Sequence, residues 1–281
     1  MCSPKIVQVA HESAVASPVS RRAWLGAAAG VLAAASGAMV SAGSGIAVAQ
    51  EVPGGSVVDL THTLSAGLPV WPGNPPFAMV PVAWHDAGGF GQHALAFWEH
   101  SGTHIDAPLH RDRTGASVDR IAAADLVAPL AVIDISARAD ADSDATLTVS
   151  DIEGWEAAHG RIPARAFVAM YSGWERRLAT PGAFLNLDAE GRTHAPGFAP
   201  AAAEFLVAQR DIVGAGVDTL SLDRSASRDY GAHTAFLGAG RYGVEMLANL
   251  DRLPPSGARL IVGAPKHAGG TGGPCRVLAL T

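Results

Sequence analysis

The stretch His100-Ser101-Gly102-Thr103-His104-Ile105-Asp106-Ala107-Pro108-Leu109-His110 carries four potential metal ligands in a short run of chain. On a helix, Asp106 would lie about 200° around the axis from His104, whereas on a strand alternate side chains share a face. The strand reading gathers His100, Gly102, His104, Asp106, Pro108 and His110, with small or rigid residues between the donors leaving room for an ion. Thr103 and Ile105 favour extended backbone, and Pro108 removes a ladder donor, so regular pairing should stop there and His110 should project from a loop. Imidazole and carboxylate donors without thiolate suit Zn²⁺, Mn²⁺ or Fe²⁺ rather than a structural cysteine site. Histidines grouped by chance would have no reason to match side-chain parity to ligand type. The stretch therefore reads as the heart of a metal-dependent hydrolase.

Away from this stretch, residues 1–49 read as an export signal. Ser20-Arg21-Arg22-Ala23-Trp24-Leu25 resembles a twin-arginine pattern, a run rich in Ala and Gly follows, and Ala47-Val48-Ala49 offers a small-residue cleavage site before Gln50. An uncleaved anchor is the alternative, but Ala and Gly make the run weakly apolar, so no stable anchor is expected after cleavage. The twin-arginine route carries folded proteins, which suits an enzyme loading its metal in the cytoplasm and working in the periplasm or outside the cell. Residues 50–281 are enough for one domain with a full core. The whole chain has a net charge of −6. The signal removes Lys5, Arg21 and Arg22 against Glu12 alone, so the mature domain is more acidic still, which argues against nucleic acid as a partner. Cys2 leaves with the signal and Cys275 stays alone, so no intrachain disulfide is expected.

Hydrophobic runs predict strands over Val57–Leu60, Ala78–Trp84, Ala94–Asp106, Leu130–Ile135, Arg165–Tyr171, Ile212–Val217, Arg259–Val262 and Val277–Leu280. A rigid Pro/Gly-rich loop, Leu68 to Pro76, separates the second from the first. Helices are expected over Val149–His159, with Ser150 and Glu153 as a capping box, over Pro200–Gln209, and over Glu245–Leu253, where Val244, Leu247 and Leu250 form a stripe before Pro254-Pro255. The mixture indicates a strand-rich α/β domain.

A second metal or base would ease amide hydrolysis, and Asp218, Asp223, His233 and Glu245 all follow the Ile212–Val217 strand. Spacing alone does not choose among them. Gly238-Ala239-Gly240-Arg241-Tyr242-Gly243 matches G-x-G-x-x-G but lacks the βαβ context and the later acidic residue of a dinucleotide site, and reads as a turn between His233 and Glu245. Cys275 reads as a small buried hydrophobe. His62, His85, His93, His159, His194 and His267 read individually as solvated or structural, with Lys266-His267 in its Gly-rich loop the pair to watch.

The string His100 to His110 resembles the signature H-x-G-T-H-x-D-x-P-x-H of the metal-dependent cyclase family, which includes bacterial kynurenine formamidases and isatin hydrolases. Pro69-Val70-Trp71-Pro72-Gly73, Gly216-Val217-Asp218-Thr219, Ala232-His233 followed by Glu245, and Pro274-Cys275-Arg276 are similar, in order, to further family segments. The resemblance implies that His100, His104 and Asp106 hold one ion, that Asp106 and Glu245 bridge to a second held also by His233, that His110 transfers the proton, and that Trp71 contacts the substrate. It implies a swivelling β/β/α single domain with a barrel-like sheet, one or two Mn²⁺ or Zn²⁺ ions per subunit, and a homodimer or homotetramer. Arg111, in place of an aromatic residue usual after the last signature histidine, and Leu220, in place of a frequent proline, are departures bearing on pocket shape. The expected activity is hydrolysis of a small amide C–N bond by metal-activated water, in an isatin-like cyclic amide or an aryl-formamide. The alternatives are a lactonase or dehydrating cyclase on the same metals, and a catalytically silent periplasmic binding protein, for which a proton-transferring His110 would have no use.

Overall fold

Two central runs, Val127–Asp134 and Ala166–Tyr171, are apolar without alternation because both of their faces are covered. Leu130, Val132, Phe167 and Ala169 pack on one side with Leu260 and Val277. Ala131, Ile133, Val168 and Met170 pack on the other with Trp155, Leu206 and Phe236, which come from three helices. The molecule is described here by a computed structural model covering residues 55–281, so the export signal expected over residues 1–49 lies outside the described residues.

In chain order the strands are β1 (Val57–Asp59), β2 (Ala78–Ala83), β3 (Gln92–Ala96), β4 (His104–Asp106), β5 (Val127–Asp134), β6 (Thr146–Leu147), β7 (Ala166–Tyr171), β8 (Gly197–Phe198), β9 (Ile212–Val217), β10 (Tyr242–Glu245), β11 (Arg259–Gly263), β12 (Gly272–Pro274) and β13 (Arg276–Leu280). The helices are α1 (His85–Gly88), α2 (Ser136–Ala141), α3 (Val149–His159), α4 (Pro200–Gln209) and α5 (Gly231–Gly238). Nine strands form one mixed sheet in the order β1-β13-β11-β5-β7-β9-β10-β4-β12. Strands β5, β7, β9 and β10 run parallel, and the strands flanking them pair antiparallel. The strand-rich α/β expectation is met. The sheet's edges are β1 and β12, so among the described residues no hydrogen-bonded closure makes of it the barrel-like sheet that the resemblance implies.

Three expectations need correction. The single ligand strand Ala94–Asp106 is two elements, because β3 ends at Ala96 and Gly102 turns the chain with φ +64° before β4 begins. A side chain would be strained at that φ. The helix expected over Glu245–Leu253 does not form. Tyr242–Glu245 is instead held as a strand between β9 and β4, and only Leu250–Arg252 makes a 3₁₀ turn. Helix α3 has the expected bounds, but its capping box is Thr148 with Asp151, whose carboxylate accepts from Thr148 N at 2.7 Å, and not Ser150 with Glu153.

Strands β2 and β3, joined through α1, form a separate two-stranded ribbon. Every residue of β3 and five of the six in β2 are exposed. Met79, Val80, Val82, Trp84, Phe90, Leu95 and Trp98 lie open on or beside it, and the strand residues carry neither acid nor lysine nor arginine.

Candidate metal centre and its cavity

Strand β4 sits between β10 and β12, and Asp106 faces a glycine on each side, Gly243 and Gly272. Both are required by space. A Cβ on Gly272 would stand 2.7 Å from Cε1 of His100, and one on Gly243 would stand 2.7 Å from Leu222 and 3.4 Å from the Asp106 side chain. The same register pairs Glu245 with His104, so neighbouring strands bring a carboxylate and an imidazole together. His233 arrives from α5, which packs against β10.

The donor atoms converge. Nε2 of His104 stands 3.3 Å from Asp106 Oδ1 and 3.3 Å from Glu245 Oε2. Nε2 of His233 stands 3.4 Å from Asp106 Oδ2 and 3.2 Å from Glu245 Oε1. Nδ1 of His100 lies 2.6 Å from Asp106 Oδ1. A ring nitrogen of His110 is within 4.8 Å of donor atoms on His100 and Asp106, and its ring lies against that of His100, 3.8 Å between centroids and tilted by 32°. The structure thus brings His100, His104, Asp106, His110, His233 and Glu245 into one cluster. Strand parity places only His104 and Asp106 on one face. His100 comes from the loop before Gly102, and His110 from the end of a 3₁₀ turn, Pro108–His110, that begins at the expected proline.

Each of three imidazoles is locked by the nitrogen it turns away from the cluster. His104 Nδ1 donates to the Gly102 carbonyl at 2.7 Å, and His233 Nδ1 to the Asp223 carboxylate at 2.6 Å, which leaves both Nε2 lone pairs pointing inward. For His100 the assignment is reversed. The Thr271 hydroxyl gives its proton to Glu99 at 2.5 Å and therefore accepts from His100 Nε2 at 3.0 Å, leaving the Nδ1 lone pair pointing inward. Of the four residues left open after the Ile212–Val217 strand, His233 and Glu245 reach the cluster, and Asp223 stands behind it, also accepting from the backbone of Ala232 and His233. Asp218 does not take part. It is buried beneath Ser172 and Trp174, whose donors it accepts, and burial pushes it up to about 6.

The cluster favours positive charge where its lone pairs meet. Burial opposes ionisation of Asp106, yet His100, His104 and His233 hold its pKa well below the usual carboxylate value. Burial likewise disfavours charged His104, but the facing Asp106 and Glu245 lift it to about 10. His110 behaves differently, because desolvation pushes it below the ordinary imidazole value although Asp106 and Glu245 pull the other way. Buried Nε2 of His104 and Oδ2 of Asp106 have no hydrogen-bond partner among the described residues, where buried polar atoms are normally satisfied. Inward lone pairs, two facing carboxylates and these two atoms fit a divalent cation.

The cluster floors a cavity of about 430 Å³ walled by Val70, Trp71, Trp98, Leu220, Tyr230 and Met246. Trp71, which the resemblance implies as a substrate contact, lines the cavity and also packs against the apolar group of Trp174, Phe184 and Met246. Trp98 and Tyr230 were not legible as pocket residues, and neither was the Glu99–Thr271 support of His100. Burial pushes the Cys275 thiol up to about 12, in keeping with an inert cysteine. His194 is tied to Asp144 and Asp188, and His267 to Glu99, so both act as structural partners rather than in the cavity. The Gly238 to Gly243 segment joins α5 to β10 as a turn.

A buried set of imidazoles and carboxylates under an open cavity defines a metal-dependent hydrolase. The chain belongs to the cyclase family, whose model, described as "Putative cyclase", matches residues 58–224. It is 37% identical to the isatin hydrolase of Roseibium aggregatum, across 80% of this chain and 91% of that protein. It is 27% identical to the kynurenine formamidase of Salinibacter ruber, across 79% of this chain and 96% of the relative. Among solved structures it is similar to an isatin hydrolase bound to the product analogue thioisatinate, with a TM-score of 0.77, 35% identity, and coverage of 81% of this chain and 92% of the other.

Proposed function

We propose that the protein hydrolyses the C–N bond of a small cyclic amide of the isatin class, using Mn²⁺ or Zn²⁺. The observation that carries this reading is the meeting of His100, His104, Asp106, His233 and Glu245 beneath an aromatic-walled cavity, in a chain similar over most of its length to an isatin hydrolase. His100, His104 and Asp106 would hold one ion, and Asp106, Glu245 and His233 a second. A bound divalent cation supplies Lewis acidity, polarising an amide carbonyl and letting water ionise near neutral pH.

The chain's own residues do the rest. Gly102, Thr271 and Asp223 fix which nitrogen each imidazole presents, so the donors need no rearrangement on binding. Trp71, Trp98 and Tyr230 flank the cavity and bind a flat ring while shielding it from water. His110, which lies against His100 at the cavity wall and has no backbone or carboxylate tether among the described residues, takes the proton of the attacking water at its ring nitrogen and passes it to the departing amide nitrogen. Aryl-formamides are the second reading, favoured by similarity to kynurenine formamidase.

Two further proposals concern setting. The twin-arginine-like segment directs residues 50–281 to the periplasm or beyond, where a cyclic amide from the environment is a more natural substrate than an intermediate of internal metabolism. The apolar β2–β3 ribbon pairs with the same ribbon of a second copy, giving a homodimer. The direct test of function is steady-state hydrolysis of isatin and N-formylkynurenine by the metal-loaded protein, with Asp106→Ala as blank. Turnover of isatin well above that of the formamide is expected. Failure of both substrates on a protein with metal bound would overturn the amide assignment.

A further inference from the structure

Among the described residues the cavity has one permanent cation in its wall: Arg111 lines it at the side of His110 and Tyr230, and no lysine or second arginine does. Most arginines that the structure fixes in place are fixed by carboxylates: Arg138 by Asp151, Arg176 by Asp140, Arg210 by Glu156 and Arg276 by Asp59. Arg111 is fixed by neutral groups instead. Its Nε donates to the Thr234 hydroxyl at 3.0 Å, one Nη to the Asp229 carbonyl at 3.2 Å, and its guanidinium lies 5.7 Å from the centre of the Tyr230 ring. Among the described residues no carboxylate lies within 4.0 Å of it, and its other Nη makes no hydrogen bond. Thr234 is in turn anchored to the Tyr230 carbonyl at 2.8 Å. The guanidinium is thus held at a set place on the cavity wall with its charge unmatched and a donor group free.

A guanidinium's planar fork is suited to carboxylates, which it engages by charge-assisted hydrogen bonds stronger than neutral ones. In a protein of net charge −6 a fixed cation beside the cavity also offsets the general repulsion of an anionic ligand. We infer that Arg111 is a specificity residue that selects, among cyclic amides, those bearing a carboxylate on the ring remote from the scissile bond. The inference rests on the proposed hydrolysis of cyclic amides and refines it, since the preferred compound is a ring-carboxylated cyclic amide rather than the bare ring.

The test compares metal-loaded wild type with Arg111→Gln, whose amide can still reach Thr234, on isatin and its ring-carboxylated derivatives with the carboxylate at each open ring position. The readout is the ratio of kcat/KM for the carboxylated compound to that for isatin. For at least one derivative the ratio should exceed one in the wild type and fall on the order of 10-fold in Arg111→Gln, the size of a charge-assisted hydrogen bond. If Arg111 only braces the loop after His110, both rates fall together and no ratio changes, which overturns the inference. Should wild type hydrolyse neither compound, the proposed function fails while the inference is decided by binding. Benzoate against benzamide, titrated into both loaded proteins, should then lose on the order of 10-fold in affinity for benzoate relative to benzamide in Arg111→Gln. Equal loss for the two ligands, or none, overturns it.

Discussion

The β4–β10 cluster and the β2–β3 ribbon break the ordinary burial rule in opposite directions. Asp106, His104 and Glu245 are 0, 3 and 5% exposed in the middle of a sheet, where burying ionisable groups is costly. Met79, Val80, Leu95 and Trp84 are more than half exposed on a ribbon that leaves the sheet, where apolar side chains gain nothing from water. A two-stranded ribbon is marginal on its own. Each departure therefore marks a place where the fold is organised around something other than its own packing: a cation in the first case, and by our proposal a second subunit in the second.

The comparison is broken most sharply at Asp106, which faces three imidazoles. Asp106→Ala should abolish metal retention and lower turnover by more than about 10³-fold, read by elemental analysis after dialysis beside an activity assay; metal retained at wild-type stoichiometry would remove Asp106 from the ligand set. His110→Ala separates chemistry from binding. It should keep the metal while turnover drops by roughly 10²- to 10⁴-fold, and loss of metal instead would make His110 a ligand.

Asp218 is the control inside the core, a buried carboxylate outside the cluster. Burial raises it from 3.8 to about 6, so between these values the folded state binds the proton that the unfolded state has released. Its contribution to stability is therefore present below about pH 4 and is lost as pH rises to 6, by roughly 3 kcal/mol in total. Urea unfolding across this window should show that loss in wild type and a flatter profile in Asp218→Asn, and identical profiles would contradict it. Asp223→Ala leaves the ligands in place but removes the acceptor that sets His233 Nδ1, so metal affinity should fall about 10- to 100-fold in a competition titration against a chelator. Affinity equal to wild type would mean the tautomer is fixed otherwise. The smallest effect on the metal comes from the ribbon. Val80→Glu should convert a dimer to a monomer in sedimentation experiments while metal content stays as in wild type, and a wild type that sediments as a monomer would remove the proposed role of the ribbon.

Legibility followed the range of the forces involved. His104 and Asp106 could be placed from strand alternation, and α4 from a run of helix-forming residues opened by Pro200. The strand through 94–106 was overextended because nothing local in the pattern announces that Gly102 turns to positive φ. The helix expected at Glu245–Leu253 had the right apolar spacing, but pairing of β10 with β4 and β9 outweighed that local signal. The supports of the ligands were hardest to see. Thr271 lies 171 positions from the His100 it orients, and Asp223 carries no spacing signal toward His233. The ribbon was readable as strands, but its exposure was not, because burial belongs to what packs against a strand and not to the strand's own sequence.

The most direct measurement is isatin hydrolysis by one preparation assayed as purified, after chelation to a metal content confirmed by elemental analysis, and after reloading with Mn²⁺ or Zn²⁺. The predicted result is turnover that disappears on stripping and returns in step with bound metal. Full activity in verified metal-free protein would contradict the assignment of His100, His104, Asp106, His233 and Glu245 as the centre on which hydrolysis depends.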